Sequence, residues 1–289
     1  MLVESRKFRV GKGEAKDSEF ESGEAPLSGA VLNVKPFVVV GIPAFNEEHS
    51  IASVVLSAKK FADAVIVCDD GSSDLTGEIA LQLGAEVVRH ESNMGYGASI
   101  RTLFARARDF AADVLVTLDA DGQHDPSEIP AVVKPIVEGE ADVVIGSRFV
   151  DGNGHKEMPS YRRFGAKLIT GLVNGSAKTG TSDSQSGFRA YSREAIERLS
   201  VNETGMGASV EILLDAGKNN LKVCEVATSC KYRNGDVATS TKNPVRHGVG
   251  VVMAFVRLVV EESPLQTLGI PGLLFLFLGI VVIKRINID

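Results

Sequence analysis

From Pro36 onward, short apolar runs alternate with stretches of helical period. Phe37-Val-Val-Val-Gly-Ile42, Ala64-Val-Ile-Val-Cys68, Glu86-Val-Val-Arg89, Val114-Leu-Val-Thr-Leu118 and Asp142-Val-Val-Ile145 are brief and dense in β-branched residues, which predicts strands. Between them, Glu47 to Phe61 places Ile51, Val54, Val55 and Ala58 on one helical face. Asp74 caps a second helix running through Leu83, Gly97 to Phe110 forms a third, and a fourth begins near Pro126. Most of the strands are apolar throughout rather than alternating, so both of their faces are buried. The pattern predicts an α/β fold, Rossmann-like, with a mostly parallel central sheet and helices on both faces. Ligands of such sheets gather beyond the carboxyl ends of the strands.

Polar clusters stand at those ends. Pro43-Ala-Phe-Asn-Glu47 follows the first strand, Asp69-Asp70-Gly-Ser-Ser-Asp74 the second, Asp119-Ala-Asp121-Gly-Gln123 the fourth and Gly146-Ser-Arg148 the fifth. Any one of these alone reads as turn or cap chemistry. At Asp119-Ala-Asp121 two carboxylates lie one residue apart, and an amide oxygen follows at Gln123. Hard oxygen ligands of this kind suit Mg²⁺ or Mn²⁺, and Mg²⁺ commonly takes one or two carboxylates plus substrate phosphates.

The ends of the chain differ from its middle. Residues 1–35 are polar, charged and poor in large apolar side chains, which predicts a flexible segment. They contain no apolar stretch of the secretory type. Leu265 to Ile283 is almost uncharged and ends at Lys284-Arg285. As a helix it would reach roughly 28 Å, close to the hydrocarbon thickness of about 30 Å. Phe and Leu on every face favour a membrane anchor over a surface helix; a buried core helix or a half-inserted hairpin are the other readings. The stretch from Lys242-Asn-Pro-Val-Arg-His-Gly248 through Val260 reads equally as a packed helix or as an amphipathic element on a bilayer. The chain thus divides into 1–35, a catalytic domain over 36–240, an interfacial segment over 241–263 and a hydrophobic membrane segment over 264–285. This division predicts a membrane-associated protein, with the domain over 36–240 expected on the cytoplasmic side; the basic pair after a single span fixes orientation only weakly.

Composition narrows the partners. With a formal charge of −6 over 289 residues there is no basic excess to bind nucleic acid. Three cysteines, Cys68, Cys224 and Cys230, show no paired spacing and read as reduced thiols.

Taken in order, Pro43-Ala-Phe-Asn-Glu-Glu48, Val67-Cys-Asp-Asp-Gly-Ser-Ser-Asp74, Asn93-x-Gly95-x-Gly97, Asp119-Ala-Asp-Gly-Gln-His124, Gly146-Ser-Arg148 and Asp183-Ser-Gln-Ser-Gly-Phe-Arg189 resemble the motifs of family 2 GT-A glycosyltransferases. Within that family the sequence is most similar to the dolichyl-phosphate mannose synthases and related polyprenyl-phosphate glycosyltransferases, from about Val38 to Arg233. The resemblance implies a nucleotide-sugar donor whose base and ribose are cradled by Pro43, Phe45, Glu47, Val67 and Asp69, with Ala120 along the nucleotide. It implies a divalent cation, Mg²⁺ or Mn²⁺, held by Asp119, Asp121 and Gln123, and donor contact from Arg233. Arg148, with Arg162 or Arg163, would face the phosphate of a polyprenyl (dolichyl) acceptor. The family pattern continues with a lysine soon after that arginine, whereas here Lys242 is displaced, so the donor sugar stays open between UDP- and GDP-sugars.

A lipid phosphate is already ionised near neutral pH and needs cationic groups to position it, which Arg148, Arg162 and Arg163 supply. A hydroxyl acceptor would instead need a base. Asp183 is the candidate for that role, the alternatives being loop ordering or sugar contact. Single displacement would invert the anomeric carbon. A processive polysaccharide synthase is disfavoured, because those enzymes carry a Q-x-x-R-W motif and this sequence has no tryptophan. A non-catalytic nucleotide-sugar-binding membrane protein is the remaining alternative, opposed by the intact Asp119, Asp121 and Gln123.

Overall fold

The computed structural model describes residues 35–150, 170, 171, 173, 174, 180–230 and 253. Seven strands form one sheet: β1 (Val38–Ala44), β2 (Ala64–Asp69), β3 (Glu86–Arg89), β4 (Val114–Thr117), β5 (Val143–Ser147), β6 (Arg189–Ser192) and β7 (Val223–Ala227). Their order is β3-β2-β1-β4-β6-β5-β7. β6 runs antiparallel to both of its neighbours, and every other pairing is parallel.

Six helices cover the sheet among the described residues: α1 (Ile51–Ala58), α2 (Thr76–Gln82), α3 (Tyr96–Asp109), α4 (Ile129–Val137), α5 (Arg193–Arg198) and α6 (Ala208–Lys218). Alternation along the strands sorts the core into two layers. Val38, Val40 and Ile42 pack with Ile51, Val54 and Val55 of α1 and with Ile129, Val132 and Val133 of α4. Val39, Ile66 and Leu115 pack on the other face with Ile100, Leu103 and Phe104 of α3 and with Ile196 and Ile212. Each such side chain contributes about 1.5–3 kcal/mol when fully buried, so the apolar runs alone account for a sheet covered on both sides.

The five strands expected from sequence are present. The sheet is larger, because β6 enters between β4 and β5 with Leu115 opposite Tyr191 and Val144 opposite Ala190. Arg189-Ala-Tyr-Ser192 is too short and too polar to announce itself as a core strand, yet Tyr191 is buried with its ring 4.8 Å from that of Phe104. The first helix starts at Ile51 rather than Glu47, because the backbone before it is committed to loop contacts. The second helix starts at Thr76 with Leu75, not Asp74, at its N-cap; Asp74 stands one residue earlier and accepts from Thr76 N at 3.0 Å and from the Thr76 hydroxyl at 2.5 Å. Among the described residues no helix is long and apolar enough to cross a membrane. The run Leu265–Ile283 and the interfacial stretch from Lys242 lie outside the described residues, Met253 excepted, as does the segment 1–34.

Close approach fixes one glycine. Gly97, in the first turn of α3, donates its N–H to Thr204 O at 2.8 Å, and a Cβ there would collide with the Glu203 carbonyl and the Ala208 methyl. Neither obstacle is the flexible end of a side chain. Gly97→Ala is therefore expected to destabilise the protein by about 1–3 kcal/mol, the usual cost of overpacking. A lowered urea midpoint at unchanged slope checks it; an unchanged midpoint refutes the tight packing of α3 against the 203–208 loop.

Candidate active site

The carboxyl ends of β1 and β2 are laced together. Asn46 N donates to Ser72 Oγ (3.0 Å), Glu47 N to Thr76 Oγ1 (2.8 Å) and Glu48 N to Asp74 Oδ2 (3.2 Å). In return Ser73 N donates to Asn46 Oδ1 (2.8 Å) and Leu75 N to Glu48 Oε2 (3.2 Å). Asn46 takes a left-handed conformation (φ 55°), which asparagine tolerates better than most residues. The lacing sets Pro43, Phe45 and Glu47 beside the second strand's loop, with the Phe45 ring exposed. The Glu47 carboxylate accepts from the Ser50 hydroxyl at 2.7 Å.

The adjacent acids Asp69 and Asp70 point into the protein. Asp69 is fully buried; its Oδ1 accepts from Ser72 N (2.9 Å), while Oδ2 makes no hydrogen bond and lies 3.5 Å from Arg89 Nη1. Val67 is likewise fully buried, on the α1 side of the sheet. Asp70 accepts from Met94 N (2.9 Å), Gly95 N (2.8 Å) and His90 Nδ1 (2.7 Å), thereby anchoring the Asn93–Gly97 loop. These two of the residues expected to cradle a nucleotide, Val67 and Asp69, are thus enclosed by protein, whereas Phe45 faces outward.

β4 ends against the same crevice. Leu118 N donates to Gly41 O, Ala120 is buried, and Gly122 (φ 73°) turns the chain so that Gln123 N donates to Asp121 Oδ1 at 2.9 Å. The Asp119 carboxyl packs so closely on Gly187 that a Cβ there would strike both of its oxygens. Burial raises the Asp119 carboxyl from its ordinary range to about 6; the Arg148 and Arg189 guanidiniums oppose the rise and Glu47 adds to it. All three charges therefore bear on one carboxyl. His124 is buried with its ring 5.4 Å from that of Phe188 and Nε2 4.0 Å from Asp119 Oδ2, and its Nδ1 has no hydrogen-bond partner among the described residues. Burial first, then Arg148, holds this imidazole below its ordinary value, which keeps it neutral at pH 7.

At the end of β5, Arg148 grips Asp183. Its Nε donates to Oδ2 (2.8 Å) and its Nη2 to Oδ1 (2.9 Å), and the Asp183 side chain is 1 % exposed. Asp183 is held in turn by Glu225 of β7, which accepts from Asp183 N at 3.0 Å. Arg189 is buried and donates to the carbonyls of Ser184 (2.7 Å), Ser186 (2.9 Å) and Ser209 (2.9 Å), closing the turn that carries Gly187. Sequence reasoning did not single out Glu225. The signal was there: a charged residue in the middle of the strand Val-Cys-Glu-Val-Ala. Arg162, Arg163, Arg233 and Lys242 lie outside the described residues.

Asp119, Asp121 and Gln123 offer two carboxylates and an amide oxygen from one turn. Among the described residues there is no cluster of three His, Cys, Asp or Glu side chains that would cage a metal unaided. The donor set, and the raised Asp119 carboxyl whose charge a cation would offset, fit Mg²⁺ or Mn²⁺ completed by ligand oxygens rather than a protein-only site.

The profile described as Glycosyl transferase family 2 matches residues 39–200. The sequence is 34% identical to the UDP-N-acetylglucosamine–dolichyl-phosphate N-acetylglucosaminyltransferase of Methanococcus voltae, over 69% of this chain and 88% of that one. It is 31% identical to the dolichyl-phosphate hexose transferase of Haloferax volcanii, over 78% and 94%. Among solved structures, the glucosyl-3-phosphoglycerate synthase of Mycobacterium tuberculosis, in complex with Mn²⁺, uridine diphosphate and phosphoglyceric acid, shares the fold. That match has a TM-score of 0.57 and 23% identity, over 77% of this chain and 78% of that one.

Folding disfavours the charged form of Asp119. What this residue contributes to stability is complete below its ordinary value of 3.8 and is lost as the pH rises through about 6. Asp119→Asn should therefore melt higher than the parent protein at pH 7.5 without divalent cations, and the two should converge near pH 4. The gain is set by roughly 2–4 °C per kcal/mol for a protein of this size, and the 32% exposure of the side chain keeps it small. Equal melting temperatures at both pH values would refute the raised Asp119 carboxyl.

Proposed function

The chain belongs to glycosyl transferase family 2 and is a glycosyltransferase, and from that premise we propose that it moves a single sugar from a UDP-sugar to dolichyl or another polyprenyl phosphate. The observation that carries this reading is the Arg148 guanidinium, bearing on Asp119, with the one-time candidate base Asp183 bound to it through both oxygens. A general base must reach the proton it removes. Asp183 is enclosed and engaged, which suits an acceptor that brings its own negative charge and needs no base. The named activities of the Methanococcus voltae and Haloferax volcanii relatives support a dolichyl-phosphate acceptor, and the first of them supports a UDP-sugar.

In this reading the laced loops after β1 and β2 receive the nucleotide, with Pro43, Phe45 and Glu47 at base and ribose, Ala120 along the nucleotide and Arg233 on the donor, while the enclosed Val67 and Asp69 support those loops from beneath. Asp119, Asp121 and Gln123 hold the diphosphate's cation. Mg²⁺ or Mn²⁺ bound there supplies Lewis-acid stabilisation of the charge that develops on the departing diphosphate. Arg148, with Arg162 or Arg163, orients the acceptor phosphate. One of its oxygens forms the new bond to the anomeric carbon as the bond to the nucleoside diphosphate breaks, so configuration inverts and no proton has to be removed. The interfacial stretch 241–263 and the apolar run 264–285 would hold the domain at the cytoplasmic face of a membrane, where such a lipid resides.

Radiolabelled UDP-N-acetylglucosamine, UDP-glucose and GDP-mannose, each offered with dolichyl phosphate in detergent, test the reading. Label should enter the lipid from a UDP-sugar; label entering only free sugars or protein hydroxyls would overturn the acceptor. Asp121→Ala should keep the fold and lose more than about 100-fold in rate, beyond the 10–100-fold typical of an outer-shell partner. Chelation should abolish transfer by the parent enzyme and added Mn²⁺ restore it. A folded Asp121→Ala enzyme with normal metal-dependent rates would remove Asp121 from the cation site.

A further inference from the structure

Glu225 stands on the edge strand β7, and β5, β6 and β4 separate it from β1 and the donor loops. Its half-buried carboxylate has no salt-bridge partner among the described residues; hydrogen-bond donors surround it instead. Oε1 accepts from Ser182 N (2.7 Å), Asp183 N (3.0 Å) and the Thr181 hydroxyl, and Oε2 accepts from the Ser182 hydroxyl (2.7 Å). Those bonds offset the cost of removing a carboxylate from water. A plain loop anchor would need nothing more.

The position of that segment gives the anchor a second consequence. Asp183, whose N–H Glu225 holds, is the residue that grips Arg148 through Nε and Nη2. Ser182, whose hydroxyl Glu225 also holds, meets the Ser147 hydroxyl at 2.8 Å, one residue before Arg148. Arg148 is therefore referred to Glu225 along two routes, one through its own side chain and one through the backbone of β5. A guanidinium on a long side chain keeps a fixed fork only when something else orients it.

We propose that Glu225 is a positioning residue for the acceptor phosphate: it fixes Thr181–Asp183 so that Asp183 presents Arg148 in one orientation, and it acts on the acceptor without acting on the donor. The inference rests on the assignment of Arg148 to a phosphate acceptor.

Two substitutions separate this from a general structural role. Glu225→Ala leaves Ser182 N without its acceptor and Asp183 N with only the Thr181 hydroxyl at 3.2 Å. Glu225→Gln keeps an oxygen for both, and its amide needs only the Ser182 hydroxyl to accept rather than donate. Glu225→Ala should raise KM for dolichyl phosphate by roughly 10-fold or more, the scale of loss when a positioning group slackens, with KM for the UDP-sugar unchanged. Glu225→Gln should stay near the parent enzyme. Water exchange at the Arg148 Nε–H, read by ¹⁵N NMR with no substrate present, should be slow in the parent and in Glu225→Gln and fast in Glu225→Ala. Unchanged exchange in Glu225→Ala, or an equal rise in both KM values, overturns the proposal. Should the parent enzyme transfer nothing to polyprenyl phosphate, the acceptor assignment fails and with it the proposed role, while the exchange measurement still reports whether Glu225 orients Arg148. If Glu225→Ala does not fold, Thr181→Val removes one donor to Glu225 together with the second acceptor of Asp183 N and should give the same pattern at smaller amplitude; a silent Thr181→Val then counts against it.

Discussion

A carboxylate at the end of a strand buried on both faces is an expensive place for a charge, and the crevice is organised around that cost at Asp119. Burial lifts its carboxyl to about 6, and what keeps it from rising further is the pair of guanidiniums of Arg148 and Arg189. Each arrives from a different part of the chain, Arg148 from the end of β5 and Arg189 from the start of the antiparallel β6. Only glycine at position 187 lets the chain pass that carboxyl closely enough for β6 to enter beside β4. The insertion of β6, which interrupts an otherwise parallel sheet, and the electrostatics of the Asp119 turn are therefore one arrangement seen at two scales.

The other acids of the crevice divide by what they accept. Asp70, Asp183 and Glu225 all take backbone N–H groups: Met94 and Gly95, Arg148, and Ser182 and Asp183 respectively. Loops at the carboxyl edge of a sheet leave N–H groups without secondary-structure partners, and a buried carboxylate satisfies two or three at once. The chain thus spends much of its acidic excess on holding loops still. Asp121 does this only within its own turn, accepting from Gln123 N, and no backbone N–H bond to the Asp119 carboxyl is seen among the described residues; the turn that carries both acids is where a cation would find its oxygens.

Much of this was legible in the sequence, and the limits have physical causes. The five apolar runs mark β1 to β5 because burial on both faces demands continuous hydrophobicity, and the polar clusters at their ends fall where the parallel sheet puts them. β6 and β7 were not legible: Arg189-Ala-Tyr-Ser192 is short and polar, and Val223–Ala227 sits at an edge, where every residue stays partly exposed. The Asp119-Ala-Asp121 turn could be read from spacing alone. The Arg148–Asp183 pair could not, since it joins residues 35 apart through a strand whose direction no local pattern announces. Asp69 shows the opposite limit. Its motif points to a ligand, but the fold places its carboxylate under Gly77 and beside Arg89, a tertiary fact that no neighbouring residue encodes.

The charge balance of the crevice bears on which substrates it can hold. On the proposed reading Glu47, Asp119 and Asp121 stand on the donor side, and Asp183 offsets much of the charge of Arg148. Among the described residues, such a set favours a nucleoside diphosphate that brings its own cation, and Arg148 gives a lipid phosphate one oriented fork. On the proposed reading both anions are admitted by geometry rather than by a pool of positive charge: the diphosphate with its own cation, the acceptor at a guanidinium whose direction is already fixed. Pre-orientation then matters more than net charge. A fork held in place by Asp183, Ser147 and Glu225 loses little rotational freedom on binding phosphate, whereas an unanchored arginine would gain in attraction and lose in order. The carboxylate that could have been a base is of more use to a phosphate acceptor as the clamp on its arginine.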